Sequence, residues 1–162
     1  MDKAFLAAQL AAQLREVART ARLAMEAATA EARDGATPAE KREDSRVAQE
    51  HSGLARGHHA RLERVTADLA VLEKFQPPAL GPRARVQLGA IVEVEDGDEG
   101  RTFFLAPVGA GVELTGPGGD GYLSVVTPAS PVGKAVMGRR VGDTIEVTVQ
   151  GEPLEWAITF VW

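Results

Sequence analysis

The chain is expected to have an α+β fold: an antiparallel coiled-coil helical hairpin over residues 1–76, a linker at 77–82, and a small antiparallel β domain over 83–162. Three observations predict this. Apolar residues in the first half recur at spacings of three and four, whereas the second half breaks into short β-branched and aromatic runs. Between them, "QPPALGPR" places three prolines and a glycine in eight positions, a composition that stops a helix.

In the first helix, Leu10, Leu14, Val17, Ala21, Ala24 and Ala28 follow one another at alternating spacings of four and three. That is a heptad seam. Gln13, Arg15, Glu16, Arg19, Arg22 and Glu26 fill the other faces, and the alanines late in the seam permit close approach of a second helix. The segment "RDGATPAEKREDS", residues 33–45, interrupts the pattern. Gly35 suits a left-handed helix end, and Thr37, Pro38 and Glu40 suit the N-cap, the first position and the capping-box glutamate of a second helix. Val47, Leu54, Leu62, Val65, Leu69 and Leu72 continue at helical spacings, regular in the last four and looser near His51 and His58. Helices of about 30 and 38 residues would be roughly 45 to 57 Å long. A short connection makes them antiparallel neighbours, with residues 34–38 at the tip.

Beyond the linker, "VQLGAIVEVED", "RTFFLAPV", "YLSVVTP", "DTIEVTV" and "LEWAITFVW" read as strands separated by Gly, Pro and Asp clusters. "GAGVELTGPGGDGY", with six glycines, is expected to be a flexible turn. Residues 130–138 predict a short helix capped by Ser130, opened by Pro131 and ended by Gly138.

Composition narrows the function. The absence of cysteine removes disulfides, zinc knuckles and thiol nucleophiles. Residues 1–77 hold twelve acidic and twelve basic side chains, and residues 78–162 hold eleven acidic and six basic, so a general grip on nucleic acid is not expected and a protein partner is. No apolar run is long enough to span a bilayer, and the start lacks a basic leader, which predicts a cytoplasmic protein without a membrane partner. His51, His58 and His59 lack further ligands at matching spacing for an intrinsic metal site. No G-x-S-x-G elbow occurs, and the glycines at 116, 118, 119 and 121 neither precede a helix nor carry a Walker lysine.

The helical hairpin, the proline linker, "VQLGAIVEVED" and "VVTPASPVGKAVMGRRVGDTIEV" together resemble the Gre family of bacterial transcription elongation factors. Ser130, Pro131, Ala135, Gly138, Val141, Gly142 and Asp143 occupy the places of the family's C-terminal signature, and "AQEHSGLARGHHARLERV" resembles its return helix through Gly53 and Gly57. The resemblance implies an FKBP-like C-terminal domain that docks on RNA polymerase through Ser130, Pro131 and Lys134. It also implies a coiled coil that enters the secondary channel, with indirect contact to RNA and DNA. Tip carboxylates would then share the polymerase's Mg²⁺ and promote cleavage of backtracked RNA, and the protein would modulate the polymerase rather than be an enzyme itself. The tip departs from the family pattern, because an ungapped alignment of "AQEHSG" places Pro38 and Lys41 where the family has an aspartate and a glutamate. Asp34, Glu40, Glu43 and Asp44 are the remaining candidate acids.

Each feature also has a plain structural reading. Tip acids favour a helix N-terminus by a few tenths of a kcal/mol each without any metal. Ser130 and Pro131 cap a helix whatever else they do. Lys134, Arg139 and Arg140 suit either an acidic helical partner or an ordinary exposed cationic edge. Rival functions are a channel regulator or inhibitor without cleavage stimulation, an FKBP-like prolyl isomerase, and a dimeric coiled coil. An isomerase would need Phe103, Phe104, Tyr122, Trp156, Phe160 and Trp162 to line a pocket. The hairpin reading expects a monomer.

Overall fold

The computed structural model describes residues 2–34, 44–81, 83–97, 99–116, 119, 121–149 and 151–162. Helices α1 (Lys3–Asp34) and α2 (Asp44–Glu73) are followed by strands β1 (Ile91–Asp96), β2 (Glu99–Leu105), β3 (Glu113–Thr115) and β4 (Tyr122–Val126). The short helix α3 (Pro131–Val136) and strands β5 (Thr144–Val149) and β6 (Glu152–Val161) complete the chain. The described residues divide into two compact units, residues 12–70 and residues 1–11 with 71–162.

In the helical unit the expected seam of α1 is buried at Leu14, Ala21 and Ala28 and half-buried at Val17 and Ala24. Ala21 and Ala28 are only 4% and 8% exposed, and α2 is the other described element of that unit, so α2 must cover them. Because the start of α1 and the end of α2 both belong to the other unit, the two helices run antiparallel. On α2 the seam passes through Ser52, Ala55, His58, Leu62, Val65, Leu69 and Leu72, all buried or half-buried. Leu54 is not in it. At about 100° per residue, eight residues back from Leu62 falls about 80° off the stripe, and Leu54 is 57% exposed. The predicted Gly35 end, the Thr37-Pro38-Glu40 start and the tip itself lie outside the described residues.

The second unit holds a six-stranded sheet of order β3-β4-β2-β1-β6-β5. Four of its five pairings are antiparallel, as expected, but β2 and β4 run parallel, so the sheet is mixed. Strand β3 is the reason. It lies within the glycine-rich segment read as a turn, pairs antiparallel with β4 (Leu114 opposite Leu123), and occupies the edge, which leaves β4 beside β2 in the same direction as β2. The short alternating run Glu113-Leu114-Thr115 buries Leu114 completely.

Alternation along the strands divides the side chains between two faces. Val92, Val94, Phe103, Leu105, Ile145, Val147, Trp156, Ile158 and Val161 form one core with Val136 of α3 and Val86. Ile91, Phe104, Leu123 and Val125 point the other way and are buried as well, so that face is covered too. The cover comes from chain segments distant in sequence. Phe75 meets Phe104 with ring centroids 6.5 Å apart, and Gly109, at φ +85°, leaves room for Leu10, whose Cδ1 would lie 2.7 Å from any added Cβ. The Gln9 side-chain oxygen accepts from the Thr115 amide at 2.8 Å, and Lys3 donates to the Pro78 carbonyl at 2.7 Å. Partial burial lowers the Lys3 pKa from its usual value. Asp2, accepting from the Phe5 amide at 3.1 Å, caps this start of α1.

Candidate functional site

Helix α3 and the turns after it form a tightly determined corner. The Ser130 hydroxyl donates to the Thr127 carbonyl at 2.8 Å and accepts from the Gly133 amide at 3.1 Å, so it caps the helix as its sequence predicts. Pro131 takes the first turn, where a missing N–H costs nothing. Gly133 is buried, and a Cβ there would collide with the Thr127 carbonyl. Gly138, at φ +76°, turns the chain after the helix.

Beyond α3 the chain makes two close turns. The Asp143 carboxylate accepts from the Arg140 amide at 2.9 Å, while the Asp143 amide donates to the Arg140 carbonyl at 3.1 Å. Val86 binds this stretch from the segment after the linker: its amide donates to the Arg139 carbonyl, and its carbonyl accepts from the Gly138 amide, both at 2.8 Å. Arg85 is held beside it by a 2.9 Å bond to the Gly138 carbonyl. Sequence reasoning missed Arg85, because nothing local to residues 83–86 signals a partner more than fifty positions away. It also gave Met137 no surface role and Val141 only a place in the family signature. Both are exposed, at 37% and 46%.

Of the other predicted site residues, Pro131 and Lys134 are exposed and Ser130 is half-buried. Asp34 ends α1 and Asp44 opens α2, whereas Glu40 and Glu43, like Pro38 and Lys41, lie outside the described residues. No group of three or more potential metal ligands occurs among the described residues. His58 is half-buried in the helical seam, and the His59 Nδ1 lies 3.5 Å from a Glu63 carboxylate oxygen. The aromatic residues do not converge on one cleft. Trp156 is 1% exposed and stacks on Phe103 at 5.8 Å, Phe104 lies on the opposite sheet face against Phe75, and Phe160 meets Trp162 at 3.8 Å.

A family model described as "Transcription elongation factor, GreA/GreB, C-term" matches residues 81–162, the whole sheet and the α3 corner. A curated relative, the transcription elongation factor GreA of Rhodospirillum rubrum, is 34% identical over 157 residues, which covers 95% of this chain and 91% of that protein. The chain belongs to the GreA/GreB family. Solved structures that match the chain include the transcription factor Gfh1, at 22% identity and a TM-score of 0.41 over 94% of this chain and 93% of that one. Gfh1 from Thermus aquaticus matches at 23% identity and a TM-score of 0.41, over 92% and 91%. Within the GreA/GreB match, Ser130, Pro131 and the two turns that follow are held by the fold itself, through the bonds described above.

Proposed function

We propose that this GreA/GreB family member is a transcription elongation factor that binds bacterial RNA polymerase in the cytoplasm and is not itself an enzyme. The carrying observation is the 34% identity to a GreA factor over 95% of the chain, which spans the helices and the sheet together. The sheet-containing unit docks through the α3 corner, with Ser130 and Pro131 shaping it and Lys134 at its surface. The antiparallel helices enter the secondary channel as a monomeric probe, touching RNA and DNA only within the elongation complex.

Asp34, Glu40, Glu43 and Asp44 supply the carboxylates nearest the turn between the helices. Oxygen ligands suit a hard cation, and a two-metal centre retains its weaker ion better when carboxylates are added to it. In this reading the acids would help hold Mg²⁺ of the polymerase and so favour cleavage of backtracked RNA. Pro38 and Lys41, at the places of the family's acids, favour a second reading in which the factor occupies the channel and alters pausing or inhibits without promoting cleavage.

A transcript-cleavage assay on a stalled, backtracked complex separates the two. Cleavage by the wild type that falls at least about ten-fold when the four acids become amides supports metal assistance, about 1.4 kcal/mol in barrier. Slowed elongation without cleavage supports the channel regulator. No binding to polymerase by pull-down would overturn both.

A further inference from the structure

One face of the sheet packs its core residues with Val136 of α3; the other is covered on only one side. Toward β3, β4 and β2 that second face meets the start of α1 and the segment around Phe75. The cover does not extend over β6 and β5, where Thr144, Glu146, Thr148, Glu155, Ala157 and Phe160 are all exposed. Register brings them together with the acids of β1: Glu93 lies opposite Phe160, Glu95 opposite Ala157, and Glu146 opposite Glu155. Strands β1, β6 and β5 are neighbours and contain no lysine or arginine. None of Glu93, Glu95, Glu146 and Glu155 forms an ion pair among the described residues. The pair Glu146 and Glu155 sets like charges directly across two strands, which costs the sheet stability. Phe5, Val71, Tyr122, Met137 and Val141 of the same unit are exposed as well, so exposure alone does not single out Phe160. Its company does: the Trp162 ring stands 3.8 Å away, centroid to centroid, and Glu93 faces Phe160 across the strands.

We infer that this open half-face binds an extended, arginine-bearing segment of a protein partner, with Phe160 and Trp162 stacking a guanidinium and Glu93, Glu95, Glu146 and Glu155 pairing with the cations. The surface lies on the face away from α3, and the inference stands independently of the polymerase reading. Charge complementarity selects the occupant. Four carboxylates with no cation across three adjacent strands attract positive charge and repel phosphates, which disfavours nucleic acid and anionic membranes. A metal ion is disfavoured too, because no three potential ligands converge among the described residues. Aromatic rings beside carboxylates select arginine over lysine, since a planar guanidinium stacks on a ring while its N–H groups reach the oxygens. The dimensions suit a chain rather than a small cation: two strand spacings make the patch about 10 Å wide, and the run from Glu155 to Phe160 makes it about 15 Å long. An arginine placed between Glu146 and Glu155 relieves their repulsion, so the arrangement that weakens the free sheet strengthens the complex.

The test is calorimetric titration of the full-length chain with a synthetic peptide of about eight residues in which arginine alternates with serine, and with its lysine counterpart. Circular dichroism confirms that each variant is folded. The wild type is expected to bind the arginine peptide about five-fold more tightly than the lysine peptide. Phe160→Ala is expected to abolish that preference. Glu146→Gln with Glu155→Gln is expected to weaken arginine-peptide binding about ten-fold at low salt and less at moderate salt. Glu26→Gln with Glu50→Gln, an equal loss of charge on exposed helix positions, is expected to change it by less than about two-fold. No binding of the arginine peptide by the wild type overturns the inference. So does equal weakening by the two glutamine pairs, which would show attraction by net charge alone, or an arginine preference that survives in folded Phe160→Ala.

Discussion

Ser130 and Gly133 lie three residues apart and serve the same turn, yet they tolerate change very differently. Ser130→Ala removes one cap, a loss of about 1 kcal/mol. Gly133→Ala drives a methyl group into the Thr127 carbonyl, a backbone atom that cannot swing aside, and is expected to destabilise by about 3 kcal/mol. Urea titrations of the two variants, followed by the fluorescence of Trp156 and Trp162, should order them that way, and equal midpoints would refute the packing account. Trp156 itself carries a cost, since its buried Nε1–H has no acceptor among the described residues. The guanidinium of Arg101, 5.2 Å from the centroid of the Trp156 ring, and the stacked Phe103 compensate through the ring faces.

At the scale of elements, the helical seam is alanine-rich in the later part of α1, where Ala21 and Ala28 are buried. Ala21→Leu is expected to overpack that seam and lower hairpin stability by about 1 to 3 kcal/mol, read as a lower melting temperature by circular dichroism. Leu23→Ala, on an exposed position of α1, is expected to change it by no more than about 0.5 kcal/mol. Heptad spacing was legible in α1 because six apolar residues repeat without interruption. It was misleading at Leu54, whose hydrophobicity suggested a seam position that Ala55 and His58 actually hold. Strand β3 was hidden for a related reason. A strand of three residues carries too little pattern to outweigh the glycine-rich turn signals around it.

Across the whole molecule, the first residues of α1 complete the sheet-containing unit. Leu6 and Leu10 are fully buried there, so Leu10→Ala should destabilise that unit by about 3 kcal/mol although the substitution is made in a helix. The readout is tryptophan fluorescence under urea, because both tryptophans belong to that unit; an unchanged transition would separate α1 from the sheet's stability. Since α2 already covers the seam of α1 within one chain, light scattering should give a monomer of about 17 kDa. A stable dimer would show that the seam is shared between chains.

The sequence by itself determined the two helical periods, the change to strands after the prolines, the Ser130-Pro131 cap and the absence of thiol chemistry. These follow from forces acting within a turn or two of the chain: side-chain periodicity, capping and the conformational limits of proline and glycine. Only the tertiary structure decided that β4 lies parallel to β2, that α1 begins against the sheet, and that Arg85 joins Arg139 and Arg140. Such choices depend on which distant segments bury one another best, and that competition is settled by the whole fold.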